Sequence, residues 1–419
     1  MNTHTIIRPK VLAAIVVMGI AWCGGACGNE SVADVRSTKG TAEDAALRPD
    51  TRRCLDLAFA AASKMPTQPH GRNRARLRAE IAESALDVGA LDACASYLAA
   101  VEGWRKPFVA ARLAEAWATR GNAAQSAAAL SEAVSALAPE SAAVFSQDWQ
   151  RDRVRAQIAR ALIASGKTDA AASYLKDLVA SEASRTLPLE ASRASVATFP
   201  ATMLAIDGCL ATNDFDRMQF AVEALLVFPS TILSDSALFD AIEAKCVGTV
   251  AKFPTEFRAQ ALTRLAGRAI EVAETVRARR LLDAAEAAVA AATMLPEDGL
   301  PLRARAVAMR YASGEKEAAS AAFAALESEF ASRRAGIVDI RRAGVVRAFA
   351  EAAWRMDRKS KAAELWLRAL DEGLANPNSR PRAEDFAATC RSIVAVGAVP
   401  DAAFLAKADA LLQGLGDPW

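Results

Sequence analysis

The chain of 419 residues contains two histidines, His4 and His70. One histidine in its body, between Pro69 and Gly71, makes neither an imidazole cluster for a metal nor a Ser-His-Asp arrangement for acyl transfer. Ser165-Gly166-Lys167-Thr168 has the ending of a phosphate-cradling GxxxxGKT loop. The first glycine of that loop is replaced by Ala161, however, and the residues before it carry helical periodicity where the loop needs a strand. Ser173-Tyr174-Leu175-Lys176 has the SxxK spacing that lets a lysine activate a serine, without the KTG that accompanies it. No catalytic set, metal site or cofactor motif is expected, and the chain reads as a non-enzyme. Catalysis by Asp and Glu alone, on a wall polymer of the cell envelope, is the alternative.

Five cysteines follow Cys27: Cys54, Cys94, Cys209, Cys246 and Cys390. In an oxidising compartment Cys54 with Cys94 and Cys209 with Cys246 are the pairings nearest in sequence, and the odd count leaves a thiol over. The competing role for Cys94 is as a small packing residue.

Charge excludes one class of partner. The formal net charge is +2, and residues 1–26 supply Arg8 and Lys10 with no acid, so without them basic and acidic side chains are equal in number. General attraction to nucleic acid has no support in that balance. Arginines cluster locally at Arg151, Arg153, Arg155 and Arg160, at Arg277, Arg279 and Arg280, and at Arg333, Arg334, Arg341 and Arg342. Acids stand close by, among them Asp148, Asp152, Glu329 and Asp339, so surface pairing is the expectation for most of them.

The first 26 residues have the form of an export signal: a positive start at Arg8 and Lys10, then the apolar run Val11 to Trp22. Gly24-Gly25-Ala26-Cys27 resembles the small-residue end of a bacterial lipobox, which implies a lipid on Cys27 and attachment to a membrane of the cell envelope. Gly24 stands where that pattern prefers Leu. Residues 27–50 are polar with mixed charge and read as a tether.

The rest is built for helices. Hydrophobic residues are 53% of the chain but aromatics only 6%, and alternating strand-like runs are missing, so an all-α fold is expected. The stretch from Val154 to Leu178 shows how it is organised: Ile158, Ala159 and Leu162 share one helical face, Gly166 stands at a turn, and Ala171, Leu175 and Leu178 share the next face. Taking turn glycines as origin, Gly89, Gly121 and Gly166 are preceded at the same distances by Ile81-Ala82, Leu113-Ala114 and Ile158-Ala159. Five residues past each turn stand Cys94, Ser126 and Ala171, all small, as two closely crossing helices require. Looser copies surround Asn213 and Gly314; Leu265 to Val289 has no turn glycine. A clean one surrounds Asp357, and a degenerate terminal copy surrounds Gly397 and is expected to close off an exposed end.

This pattern resembles the tetratricopeptide repeat, which wants a large then a small residue in the first helix and small, large, small in the second. The resemblance implies an α-solenoid with a concave groove lined by first helices, binding another protein or a peptide. The spacings depart from it: Gly89 to Gly121 is 32 residues, but Gly121 to Gly166 is 45 against a family period of 34, which keeps a HEAT-like solenoid open. The expected organisation is repeats over 51–183, an irregular helical segment over 184–260 with Pro188, Pro200, Pro229 and Pro254, and further repeats over 261–419. The groove positions are then Glu80, Glu83, Arg112, Glu115, Arg155, Gln157 and Arg160. Trp117, Trp354 and Trp366 fall at packing positions; Trp104 and Trp149, at unit boundaries, are interface candidates. Homo-assembly through end repeats is a further reading.

Overall fold

A computed structural model describes residues 48–419; the signal, Cys27 and all but the last residues of the tether lie outside that range. Every regular element among the described residues is helical. The chain begins with α1 (Pro49–Lys64), α2 (Thr67–Asp87), α3 (Leu91–Leu98), α4 (Arg105–Thr119), α5 (Ala123–Ser135), α6 (Asp148–Ala164) and α7 (Thr168–Leu175). Shorter pieces follow: α8 (Ala180–Ala183), a 3-10 turn at Ser184–Thr186, α9 (Leu187–Ser192), α10 (Phe199–Leu210), α11 (Phe215–Leu226), α12 (Ser230–Leu233) and α13 (Ser236–Val250). Long pairs then resume: α14 (Thr255–Glu271) with α15 (Thr275–Ala291), α16 (Pro296–Ala312) with α17 (Lys316–Arg333), α18 (Asp339–Arg355) with α19 (Lys359–Leu374), and α20 (Ser379–Ala395) with α21 (Ala402–Gln413).

One turn recurs. At Gly89, Gly121, Gly166, Gly314 and Gly397 the backbone is left-handed, with φ between 66° and 97°. Each of these N–H groups donates three residues back, and the next N–H donates five back, as from Gly166 to Ile163 and from Lys167 to Leu162. That is the Schellman arrangement, which satisfies carbonyls left open at a helix end. The same pair of bonds forms at Asp357 (φ 58°) and at Ala273 (φ 62°), which supplies the turn between α14 and α15 where no glycine stands. Asn213 does not take this role: α10 ends at Leu210, and Asp214 caps α11 by accepting from the Arg217 N–H.

The turn sets the packing that follows. Five residues beyond it stand Cys94, Ser126, Ala171, Ala278, Ala319 and Ala362, all buried. Small side chains there let consecutive helices cross closely, and their burial removes apolar surface from water along the whole array. The irregular stretch is punctuated by its prolines, with Pro188 and Pro200 in the first turns of α9 and α10 and Pro229 and Pro254 immediately before α12 and α14. A proline's missing N–H costs nothing at a helix start.

The elements of one layer follow one another side by side: α2 on α4, α4 on α6, α6 on the 3-10 turn, then α9, α11, α14, α16, α18 and α20. The succession does not end at α20, because α20 packs on α2 and α1 packs on both α20 and α21. One buried apolar cluster crosses the junction, joining Cys54, Leu55, Ala58 and Ala62 to Phe386, Cys390 and Ile393. The helices therefore form a closed ring. The terminal copy around Gly397 is covered by α1, so the exposed end expected there is absent among the described residues.

Candidate functional site

The inner layer of this ring carries both the predicted groove residues and a cavity. The seven polar positions that the repeat pattern puts on the first helices are all engaged, six of them with a neighbouring unit and Arg155 within its own. Glu83 of α2 accepts from Arg112 Nη1 of α4 at 2.5 Å, and Arg112 Nη2 also reaches Asp87 at 3.0 Å. Glu115 of α4 receives Arg160 Nε at 2.9 Å, Arg160 Nη2 at 2.8 Å and Gln157 Nε2 at 2.5 Å, all from α6. Arg155 donates to the Lys176 carbonyl at 2.6 Å and sits 3.4 Å from Asp152. Glu80 is held by Arg76 at 2.8 Å and by Arg391 of α20 at 2.7 Å. In three pairs, Glu83 with Arg112, Glu115 with Arg160 and Glu80 with Arg391, the carboxylate of one helix is read by a guanidinium of an adjacent unit, so the polar face staples units together.

Two of these carboxyls are shifted in opposite directions. Glu83 is pushed above the usual carboxylate range by burial, against the pull of Arg112 and with Asp87 adding to the rise. For Glu115 burial works in the same upward direction, but the Arg160 guanidinium and the Gln157 amide outweigh it and hold the carboxyl below its ordinary value.

A cavity of ≈ 400 Å³ opens on the inner layer, lined by residues of α2, α14, α16, α18 and α20. Arg264, Arg305, Arg341, Arg347, Arg355 and Arg391 line it, against Asp87, Glu297 and Glu351. Several of these arginines are committed: Arg264 to Glu223 at 2.7 Å, Arg347 to Asp385 at 3.0 Å, and Arg391 to Glu80 and to the Ser84 hydroxyl at 2.8 Å. Among the described residues Arg355 pairs only with Glu351, at 3.7 Å. Arg305 makes no hydrogen bond or ion pair among the described residues.

The repeat register carried a signal for these arginines. Nine residues before the turn the first three units have Glu80, Arg112 and Gln157; the same position in the units of Ala273 and Gly314 is Arg264 and Arg305. Six residues before it, Glu83, Glu115 and Arg160 correspond to Glu351 and Arg391. Arg264 required the turn at Ala273, which a search for glycine passes over, whereas Arg305 and Arg391 stand at register positions of the Gly314 and Gly397 turns.

The other sequence candidates fall elsewhere. Gly166 and Thr168 of the GKT run are a helix end and a helix start, and the Ser173 hydroxyl donates to the Ala170 carbonyl. Trp117 and Trp366 are buried and Trp354 half-buried, its ring tilted against Trp366 at 5.9 Å. Trp104 and Trp149 meet edge to face at 5.2 Å, with Arg105 over the first ring and Arg153 over the second. Cys54, Cys94, Cys209, Cys246 and Cys390 are all buried, and none is bonded to another. Cys54 lies against Cys390, its thiol 4.0 Å from the Cys390 carbonyl, with Cys94 elsewhere in the packing. Clustered arginines are mostly paired, as Arg153 with Glu182, Arg277 and Arg280 with Glu243, and Arg334 with Glu372.

Among the described residues no group of His, Cys, Asp and Glu is arranged to hold a metal, and no helix is long and apolar enough to cross a membrane. Comparison of the chain with protein-family models, with curated proteins and with solved structures finds no match.

Proposed function

We propose that this chain is a tetratricopeptide-like α-solenoid that works as a binding scaffold in the cell envelope, exported by residues 1–26, lipid-anchored at Cys27 and engaging a protein or peptide partner through its inner layer of helices. The observation that carries this reading is the recurrence of one helical pair, with seven turns of identical hydrogen bonding and a small buried residue at the same distance beyond six of them. Arrays of this kind present a continuous surface made from successive first helices, and their work is recognition. The turn-to-turn distances, near 40 residues in the second half, are longer than the family period and match its longer helices.

Site-specific crosslinking in cells tests the reading. A photoreactive residue at Ile340, which lines the cavity, is expected to capture one discrete partner, whereas the same residue at Glu364, exposed on α19, captures none. Equal capture from both positions, or from neither, would remove the inner layer as the binding face. Cys27→Ala tests the anchor separately: the protein is expected to leave the membrane fraction, and its retention there would refute lipidation at this residue.

A further inference from the structure

Arg305 and Arg355 set a problem that the protein alone does not solve. Both line the same cavity from neighbouring helices, α16 and α18. Arg355 is held below its ordinary pKa by burial first, with Glu351 opposing this and the charge of Arg305 adding to it. The acids on the wall do little for the pair: Asp87 is already bonded to Arg112, Glu351 reaches Arg355 only at 3.7 Å, and Glu297 forms no ion pair with either guanidinium among the described residues. Two guanidinium groups that repel one another in a partly enclosed space, one of them without a bonding partner, lower each other's stability unless an anion lies between them. Arg341, exposed at the edge of the same cavity, adds a third positive charge.

We propose that this cavity is a binding site for a small, multiply charged anion, a di- or tricarboxylate or a phosphate ester, held between Arg305 and Arg355 with Arg341 at the rim. The planar fork of arginine matches the paired oxygens of carboxylate and phosphate. More than one negative charge is required because a monoanion neutralises one guanidinium and leaves the repulsion between the others. The volume of ≈ 400 Å³ lies in the range of small-molecule sites. Apolar groups on the same wall, Leu302 and Met309, fit the carbon frame of such a ligand. The site does not depend on the scaffold having a protein partner.

The test is calorimetric titration of the full chain with citrate and with inorganic phosphate, with acetate as the monoanion. Citrate or phosphate is expected to bind, to raise the thermal midpoint and to weaken as sodium chloride is added; acetate binds more weakly. Arg305 bonds to no neighbour, so Arg305→Gln retains the helical content of the parent and loses affinity by about tenfold or more. Arg305→Lys, which keeps the charge and loses the fork, recovers part of it. Arg333→Gln, away from the cavity, binds as the parent does. Binding of neither citrate nor phosphate, or equal affinity in Arg305→Gln, would overturn the assignment. Binding of an acidic peptide with no binding of either small anion would overturn it too, and would give the cavity to a polypeptide.

Discussion

Arg391 of α20 donates to the carboxylate of Glu80 of α2 at 2.7 Å, across 311 positions of sequence. The same guanidinium reaches Ser84, and Arg76 bridges Glu80 to Glu384, so two arginines and two carboxylates tie the last long helical pair to the first. The array is thereby a ring, and its cavity is bounded by helices from both ends of the chain.

Removing this tie should loosen the closure and leave the individual pairs intact. Arg391→Ala is expected to cost about 1.5–3 kcal/mol, the worth of hydrogen bonds to a charged group. Limited proteolysis should then cut first within α1 and α2, where local opening becomes easier. Urea melts of Arg391→Ala, Glu80→Ala and the double variant give the coupling; a coupling near zero would show that the apolar junction closes the ring unaided.

The turns predict a pair of substitutions with opposite signs. A Cβ at Gly166 would meet no atom within 4 Å, so the cost of Gly166→Ala is that of the left-handed backbone, about 1–2 kcal/mol, less the chain entropy that alanine saves. Ala273 already bears that cost at φ 62°, so Ala273→Gly should stabilise by up to about 1 kcal/mol. Thermal or urea midpoints moving in the same direction for both would contradict the shared geometry.

The staples predict how stability follows pH. Glu115 sits below its ordinary range, so its contribution is present above the unfolded value and is lost as pH falls through the depressed one. Glu115→Gln should lower stability at neutral pH, by about 1.5–3 kcal/mol. Glu83 sits above its ordinary range, so the folded state holds its proton longer and stability falls as pH rises from the unfolded value to the raised one. Glu83→Gln removes that slope, while Asp87 still receives Arg112. Stability measured from acid to neutral pH in the two variants checks both signs.

The five described thiols should be unreactive in the folded protein. Burial pushes Cys246 up to about 12 and raises Cys94 and Cys390 as well, which leaves little thiolate at neutral pH. Labelling with a thiol reagent is expected only after unfolding, with no need of a reductant. Rapid labelling under native conditions, or a reductant-dependent gain after unfolding, would show that one of them is exposed or oxidised.

Much of this molecule was legible locally. The glycine turns, the apolar faces before them and the small residues five beyond depend on contacts within some 20 residues, and periodicity exposes such contacts directly. Gly89, Gly121 and Gly166 set the register, and Cys94, Ser126 and Ala171 follow from it. Ala273 was hidden because its left-handed conformation is imposed by the packing of α14 on α15, overriding the residue's own preference. Ring closure is a different kind of property. It results from small rotations between successive pairs, added over the whole array, and no local pattern states their sum. Only that sum brings Arg391 to Glu80, covers Cys390 with α1, and adds α2 to the wall of the cavity that Arg305 and Arg355 line.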